Sequence, residues 1–106
     1  MVVIYEVNLN IDTEAAADFA EWLPHHVAEI LALPGFIDAI IAREEEGTEH
    51  GKVAWSVRYR LQDRQSLDHY LAVHAERMRA DGLDRFGGQM RANRRILTEI
   101  RHLKAN

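Results

Sequence analysis

Two segments of the chain, fifty residues apart, alternate between apolar and polar side chains. The odd-numbered residues from Val3 to Ile11 and from Val53 to Leu61 are apolar, and most residues between them are polar. This period of two predicts β-strands that bury one face and leave the other to water or a partner. A stretch with the helical period follows each strand, so the chain is predicted to use a strand–helix unit twice.

The first helical stretch runs from Thr13 to Leu33, and Pro34-Gly35 is the expected stop. Either Asp12 or Thr13 is the expected N-cap, because their side-chain oxygens accept hydrogen bonds from unpaired backbone amides. Pro24 lies inside the pattern. It removes an amide donor, which predicts a kink or two short helices that meet near Leu23.

The second helical stretch is expected to begin at a cap formed by Asp63 or Ser66. Its apolar stripe predicts one helix and comprises Leu67, Tyr70, Leu71, His74 and Met78. Gly82 and Gly87-Gly88 are expected to bracket a last short turn after this helix.

Two further strands complete the pattern. Phe36 to Arg43 is rich in isoleucine, Met90 to Leu103 has apolar residues in strand phase, and the glycine-containing segment from Glu44 to Gly51 predicts a hairpin. The order is therefore β-α-β-β-α-β. With right-handed crossovers this order gives the α+β ferredoxin-like fold, a four-stranded antiparallel sheet with two helices on one face. We predict one such domain over residues 1–106.

Composition excludes several classes of function. The chain has no cysteine, a net charge of −4 and no apolar run near the ~18 residues that a membrane helix needs. We therefore expect no nucleic-acid or membrane partner. The six histidines show no metal-ligand spacing, and no cofactor motif is present, so neither a metal nor a cofactor is predicted. Met1 leads straight into the first strand without the regions of a signal peptide, which favours a cytoplasmic location.

Charge is distributed unevenly along the chain. Residues 1–53 carry a net charge of −9 and residues 54–106 a net charge of +5. The simplest interpretation is that the two halves attract each other, within one chain or across a dimer. The polar face of the sheet holds the even-numbered residues of the first and third strands, and we call it the even-numbered face. It is expected to carry Glu6, Asn8, Ser56, Arg58 and Arg60, joined by Arg91, Asn93 and Arg95 of the last strand. Its arginines either hold an anionic ligand or pair with acids such as Glu6 and Glu99.

Two histidines lie on the apolar stripes of the predicted helices. His74, with Tyr70 four residues before it, is the candidate catalytic pair, because an imidazole exchanges protons near neutral pH. The candidate ligand-binding residues are His26, Trp22, Trp55, Tyr59 and Arg58. The alternative for each histidine is a structural residue with its hydrogen bonds satisfied in the core.

The chain resembles the dimeric α/β-barrel superfamily in its β-α-β-β-α-β order, its Trp22 to His26 spacing and the segment Leu33-Pro34-Gly35-Phe36. Within that superfamily, nearly the full chain resembles a small uncharacterised bacterial family, including the segments His74-Ala75-Glu76 and Leu83-Asp84-Arg85-Phe86-Gly87. The resemblance implies a homodimer in which two sheets pack face to face. Related families include cofactor-free or haem-directed monooxygenases and polyketide cyclases, but a shared fold does not transfer function.

The haem-degrading pattern fits this chain poorly. Asn8 would match its first-strand asparagine but lies on the wrong face by strand period, and the segment entering the second helix has no tryptophan. The first hypothesis is a homodimer that binds a small aromatic or anionic molecule in a cavity between helices and sheet that reaches His74. The alternative is a non-catalytic structural or interaction dimer, and a monooxygenase is the weaker third hypothesis.

Overall fold

A computed structural model of the chain describes residues 1–45 and 51–106. The strands are β1 (Val3–Asp12), β2 (Phe36–Arg43), β3 (Lys52–Leu61) and β4 (Met90–Thr98). The helices are α1 (Ala16–Leu31), α2 (Arg64–Val73) and α3 (Ala75–Phe86), with single 3-10 turns over Thr13–Ala15 and Gly87–Gln89. All strand pairs are antiparallel, in the order β2-β3-β1-β4. The predicted ferredoxin-like fold is confirmed.

The strand register separates an apolar face from a polar face. Tyr5 lies opposite Tyr59 on β3 and Ile96 on β4, whereas Glu6 lies opposite Arg58 and Arg95. The odd-numbered residues of β1 and β3 join the buried side chains of the helices in one core. A slip of one residue would exchange the two faces, so burial of this core holds the register.

The first helix passes through Pro24 without interruption, so the prediction of two short helices is wrong. Leu23 and Val27 are buried on either side of the exposed proline, and their packing holds the helical backbone. The expected side-chain cap at Asp12 is absent, because its carboxylate instead pairs with Lys52 Nζ at 2.6 Å.

The second helical stretch is two helices rather than one. The helix breaks at His74, which has φ −117° and ψ −27°, and α3 then continues to Phe86. Gly82 lies inside α3 rather than at a turn, and glycine fits there because a Cβ would press on Met90 and Trp22. Gly87, with φ 54°, ends the helix as expected. At the start of α2, the Asp63 carboxylate accepts a hydrogen bond from the Ser66 amide at 2.8 Å.

Two predictions concern the ends of strands, namely the end of β4 and the turn between β2 and β3. β4 stops at Thr98 rather than Leu103, since the last residue paired with β1 is Thr98, opposite Val3. β2 and β3 are antiparallel neighbours, as a hairpin requires, but residues 46–50 of the predicted turn lie outside the described residues. Within the described ranges, none of the helices combines the length and apolar character of a membrane crossing.

Candidate functional site

A cavity of about 260 Å³ lies between the odd-numbered face of the sheet and the helices. Its volume approaches the lower end of small-molecule pockets, roughly 300 Å³. The sheet contributes Tyr5, Val7, Leu9, Val57 and Tyr59, and the helices contribute Phe19, Trp22, Leu23, His26, Ile30, Tyr70 and Met78. Most of these groups are apolar or aromatic, so the cavity suits a flat apolar ligand.

The cavity opens between α3 and β4. Its solvent-exposed lining residues are Arg79 and Leu83 on α3 and Ala92 and Arg94 on β4. Ala92 and Arg94 are exposed although they lie on the helix side of the sheet, because β4 is the edge strand. The opening therefore carries two guanidinium groups.

One end of the cavity is a cluster of phenolic rings. The ring centroid of Tyr5 is 6.1 Å from that of Tyr59 and 5.9 Å from that of Tyr70. Phe36 packs edge-on against Tyr59 and Tyr70. The Tyr5 hydroxyl accepts a hydrogen bond from the Arg79 guanidinium at 3.0 Å. This contact ties α3 to β1 beside the opening.

The other two phenols of this cluster have buried rings and hydroxyls that remain accessible from the cavity. Tyr59 and Tyr70 are each only 3% exposed, and neither hydroxyl has a hydrogen-bond partner among the described residues. Burial raises the pKa of Tyr70 to about 12 and raises the pKa of Tyr59 as well. Both side chains are therefore neutral phenols at physiological pH and are free to donate a hydrogen bond into the cavity.

The opposite end of the cavity carries an imidazole stacked on an indole. The rings of His26 and Trp22 are 4.4 Å apart and 19° from parallel, and Trp22 in turn packs against Phe19 and Phe86. Burial lowers the pKa of His26, although the negative charges of Asp81 and Glu29 oppose this shift. His26 is therefore mainly neutral at pH 7 and able to accept a proton or a hydrogen bond.

Four of the seven predicted site residues line this cavity: Trp22, His26, Tyr59 and Tyr70. His74 does not, so the expectation that the cavity reaches His74 is wrong. The helix breaks at His74, and its Nδ1 lies 2.8 Å from the Arg77 guanidinium on the surface. Its ring packs edge-on against His69 rather than against Tyr70.

The remaining two predicted residues also lie outside the cavity. Trp55 packs edge-on against Phe19, and its buried indole N–H has no hydrogen-bond partner within residues 1–45 and 51–106. Arg58 lies on the opposite face of the sheet, where its Nε donates to the Glu6 carboxylate at 2.7 Å. The even-numbered position of Arg58 in β3 explains its location, because the odd positions face the helices.

The two arginines at the opening, Arg79 and Arg94, are not among the predicted site residues. Arg94 shares strand phase with Met90, Ala92 and Ile96, and this phase placed it on the helix side. A charged residue at a strand position that is otherwise apolar was therefore the signal in the sequence that could have identified Arg94 as a site residue. Arg79 gave no such signal, because an exposed arginine on a helix is ordinary.

The even-numbered face of the sheet is built around one buried carboxylate. Glu6 is 4% exposed and accepts hydrogen bonds from Asn8, Arg58 and Arg95. Hydrogen bonds from Arg95 and Asn8, and then from Arg58, lower the pKa of Glu6 to about 2. Nearby, Arg60 pairs with Asp38 and Glu99. The arginines of this face that form these pairs are neutralised by acids, as one of the two sequence interpretations predicted.

Metal binding finds no support in the described part of the chain, where no three histidine, aspartate or glutamate side chains are grouped to hold an ion. His50, one of the six histidines, lies outside the described residues.

Comparison with known proteins identifies a family and a fold. Residues 2–100 match the family described as "Domain of unknown function (DUF4286)". No curated protein matches the chain. SnoaB, a cofactor-independent oxygenase from Streptomyces nogalater, superposes with a TM-score of 0.73 at 17% identity, covering 97% of this chain and 98% of that chain. Rv0793 from Mycobacterium tuberculosis gives 0.71 at 16% identity, with coverage of 98% and 100%.

A designed protein has the same fold. The de novo designed protein Foldit4 superposes with a TM-score of 0.63 at 14% identity, covering 93% of this chain and 99% of that chain. These likenesses show that the chain shares its fold with SnoaB, Rv0793 and a designed protein. At such identities they show the fold alone, because a shared fold does not transfer chemistry.

Proposed function

Because the chain belongs to the DUF4286 family, whose description assigns no activity, we propose a function from the geometry of the cavity. The protein binds a small aromatic molecule between its helices and its sheet, and it does so as a homodimer that pairs through the even-numbered sheet face. The observation that carries the binding proposal is the cavity of about 260 Å³ between two aromatic clusters.

The two ends of the cavity suit a planar ring system. The stacked pair of Trp22 and His26 presents flat π-surfaces at one end, and the phenol cluster presents ring edges at the other. Aromatic pairs contribute about 0.5–1.5 kcal/mol beyond the burial of their area. A ligand of one or two fused rings would replace water along walls that are otherwise apolar.

A titration with naphthalene-2-carboxamide, a neutral bicyclic probe, tests this proposal. Trp22 lines the cavity, so its fluorescence should change saturably as the probe binds. Ala92→Phe adds a phenyl group at the opening and should weaken binding by about tenfold or more, about 1.4 kcal/mol. Ala72→Phe is the matched control, because Ala72 is exposed on α2 and does not line the cavity.

Two results would refute the binding proposal. One is the absence of saturable binding by the wild-type protein of both this carboxamide and the corresponding naphthalene-2-carboxylate, which would favour the non-catalytic structural dimer. The other is equal probe affinity in the Ala92→Phe and Ala72→Phe variants, because the probe would then bind elsewhere.

The dimer proposal rests on the composition of the even-numbered sheet face. Ile40 lies opposite Arg58 on this face and is 63% exposed in the single chain. The ion pairs of Glu6 and Arg60 already neutralise charges around it. Covering the face with a second copy would thus bury apolar surface, and the charges buried with it would keep their ion-pair partners.

Sedimentation equilibrium tests the dimer. Two copies of the 12.2 kDa chain should sediment at about 24 kDa at micromolar concentration. Ile40→Glu should shift the protein towards 12.2 kDa, because an unpaired carboxylate would be buried at the interface. Val73→Glu is the control, since Val73 is an exposed apolar residue on α2, in the helical layer. A wild-type protein that sediments as a monomer would overturn the proposal.

A further inference from the structure

We propose that the ligand of this cavity is an aromatic carboxylate, held by Arg79 and Arg94 at the opening and by the hydroxyls of Tyr59 and Tyr70 behind them. This inference rests on the proposed function, because it names the chemical class of the molecule that the cavity binds. It concerns residues on the helix side of the sheet, whereas the arginines that the strand pattern suggests for an anion lie on the other side.

Among the described residues, Arg79 and Arg94 form no ion pair. Arg58, Arg60 and Arg95, by contrast, all pair with carboxylates on the even-numbered face. Arg79 donates only to a neutral oxygen, that of Tyr5, and so keeps its full charge beside the cavity. Two guanidinium groups without an acid at one opening favour a negatively charged group between them.

The phenols supply the second, independent observation. Tyr59 and Tyr70 line the cavity, and no hydrogen bond to either hydroxyl is found within residues 1–45 and 51–106. In that part of the chain the Trp55 indole N–H is the one buried side-chain polar group without a partner, so the two hydroxyls remain accessible from the cavity and a ligand oxygen can bind them. Arg94 is near enough to both phenols for its charge to favour their ionised forms. The cations and the unpartnered hydroxyls therefore share one end of the cavity.

The charge of the lining makes the site selective. None of the described residues that line the cavity is acidic, and two of them, Arg79 and Arg94, are cationic, so the charge of the lining favours a carboxylate. At the other end, the stacked Trp22 and His26 would contact the ring. A planar ring with a carboxylate on one edge satisfies both ends at once.

A pair of probes with the same ring system tests the inference. Naphthalene-2-carboxylate and naphthalene-2-carboxamide have nearly the same shape and differ in charge at neutral pH. The wild-type protein should bind the carboxylate about tenfold or more tightly, as expected for hydrogen bonds to a charged group. Added salt should weaken carboxylate binding and leave carboxamide binding nearly unchanged, because the two arginines are exposed.

Variants assign the preference to these residues. Arg94→Gln should reduce the carboxylate preference towards one, because it removes a charge that favours the carboxylate and not the neutral carboxamide. Arg91→Gln is the matched control, because Arg91 lies on the same strand but on the other face of the sheet. Tyr70→Phe keeps the ring and removes only the hydroxyl, so it should weaken carboxylate binding severalfold without disturbing the core.

The outcomes separate this inference from the proposed function. If the carboxamide binds as tightly as the carboxylate, the anion site is refuted and the aromatic cavity stands. If Arg91→Gln and Arg94→Gln reduce the preference equally, the arginine pair at the opening is likewise refuted. If neither probe binds, the proposed function fails and this inference fails with it.

Discussion

Glu6 offers the sharpest test of how charge stabilises this fold. Hydrogen bonds from Arg95 and Asn8, together with Arg58, lower its pKa from 4.5 to about 2. At about 1.4 kcal/mol per pH unit, this lowering corresponds to at most about 3.4 kcal/mol of stability. The side chains of Arg58 and Arg95 are 49% and 58% exposed, and water screens their charges. We therefore expect Glu6→Gln to lower the free energy of unfolding by about 1–2 kcal/mol at pH 7.

The sign of the pH dependence follows from the lowered pKa. The carboxylate stabilises the folded state fully above pH 4.5, and this contribution is lost as the pH falls from 4.5 towards 2. Urea unfolding of both proteins across this range, at one protein concentration, measures the effect. The difference between wild type and variant should shrink to near zero at the acidic end, because protonated glutamate resembles glutamine.

A matched control separates this cluster from an ordinary surface ion pair. Asp68→Asn removes the partner of Arg64 in a pair whose side chains are both more than half exposed. Its effect should stay within about 0.5 kcal/mol at every pH. A Glu6→Gln variant as stable as wild type at pH 7, or a difference that is the same at pH 7 and at the acidic end, would refute the reasoning.

Two backbone predictions follow from the turns and helices. Gly35→Ala should lower the free energy of unfolding by about 2 kcal/mol or more, because Gly35 has φ +88° and a Cβ there would collide with Ser66. Gly88→Ala, which meets nothing within 4 Å, should change it by less than about 0.5 kcal/mol in the same urea experiment. Pro24→Ala should raise the free energy of unfolding by about 1–3 kcal/mol, since it restores an amide inside α1. A loss of stability in this variant, measured by thermal unfolding, would show that the proline is required.

The elements of the sheet could be predicted because each strand carries its own signal. The isoleucine-rich run from Phe36 to Arg43 is β2 without any adjustment, and the alternation of β1 and β3 correctly assigned the buried face. The ion pairs of Glu6 with Arg58 and Arg95, and of Asp38 with Arg60, confirm that the acidic and basic parts of the chain attract each other.

The break at His74 could not be predicted from local pattern. The spacing from Leu71 through His74 to Met78 keeps the helical period, and neither proline nor glycine marks the junction. On either side of the break, α2 contacts β1 and β3 whereas α3 contacts β4, so the turn reflects tertiary packing rather than local pattern. The predicted catalytic role of His74 depended on an apolar stripe that continues along one helix. Because the helix breaks at His74, this residue lies outside the cavity, whereas Tyr70 and His26 line it.

The two faces of the sheet use arginine in opposite ways, and a single residue of strand phase decides which. Arg95 points to the even-numbered face and donates to Glu6, whereas its neighbour Arg94 lines the cavity. A charge that is already paired costs less to cover with protein, so the face of Arg95 suits a second copy of the chain. An arginine without an ion pair can still form charge-assisted hydrogen bonds with an anion, so the side of Arg94 suits an anionic ligand. An Arg94→Gln variant that remains a dimer, and an Ile40→Glu monomer that retains the carboxylate preference, would show that the two faces act independently.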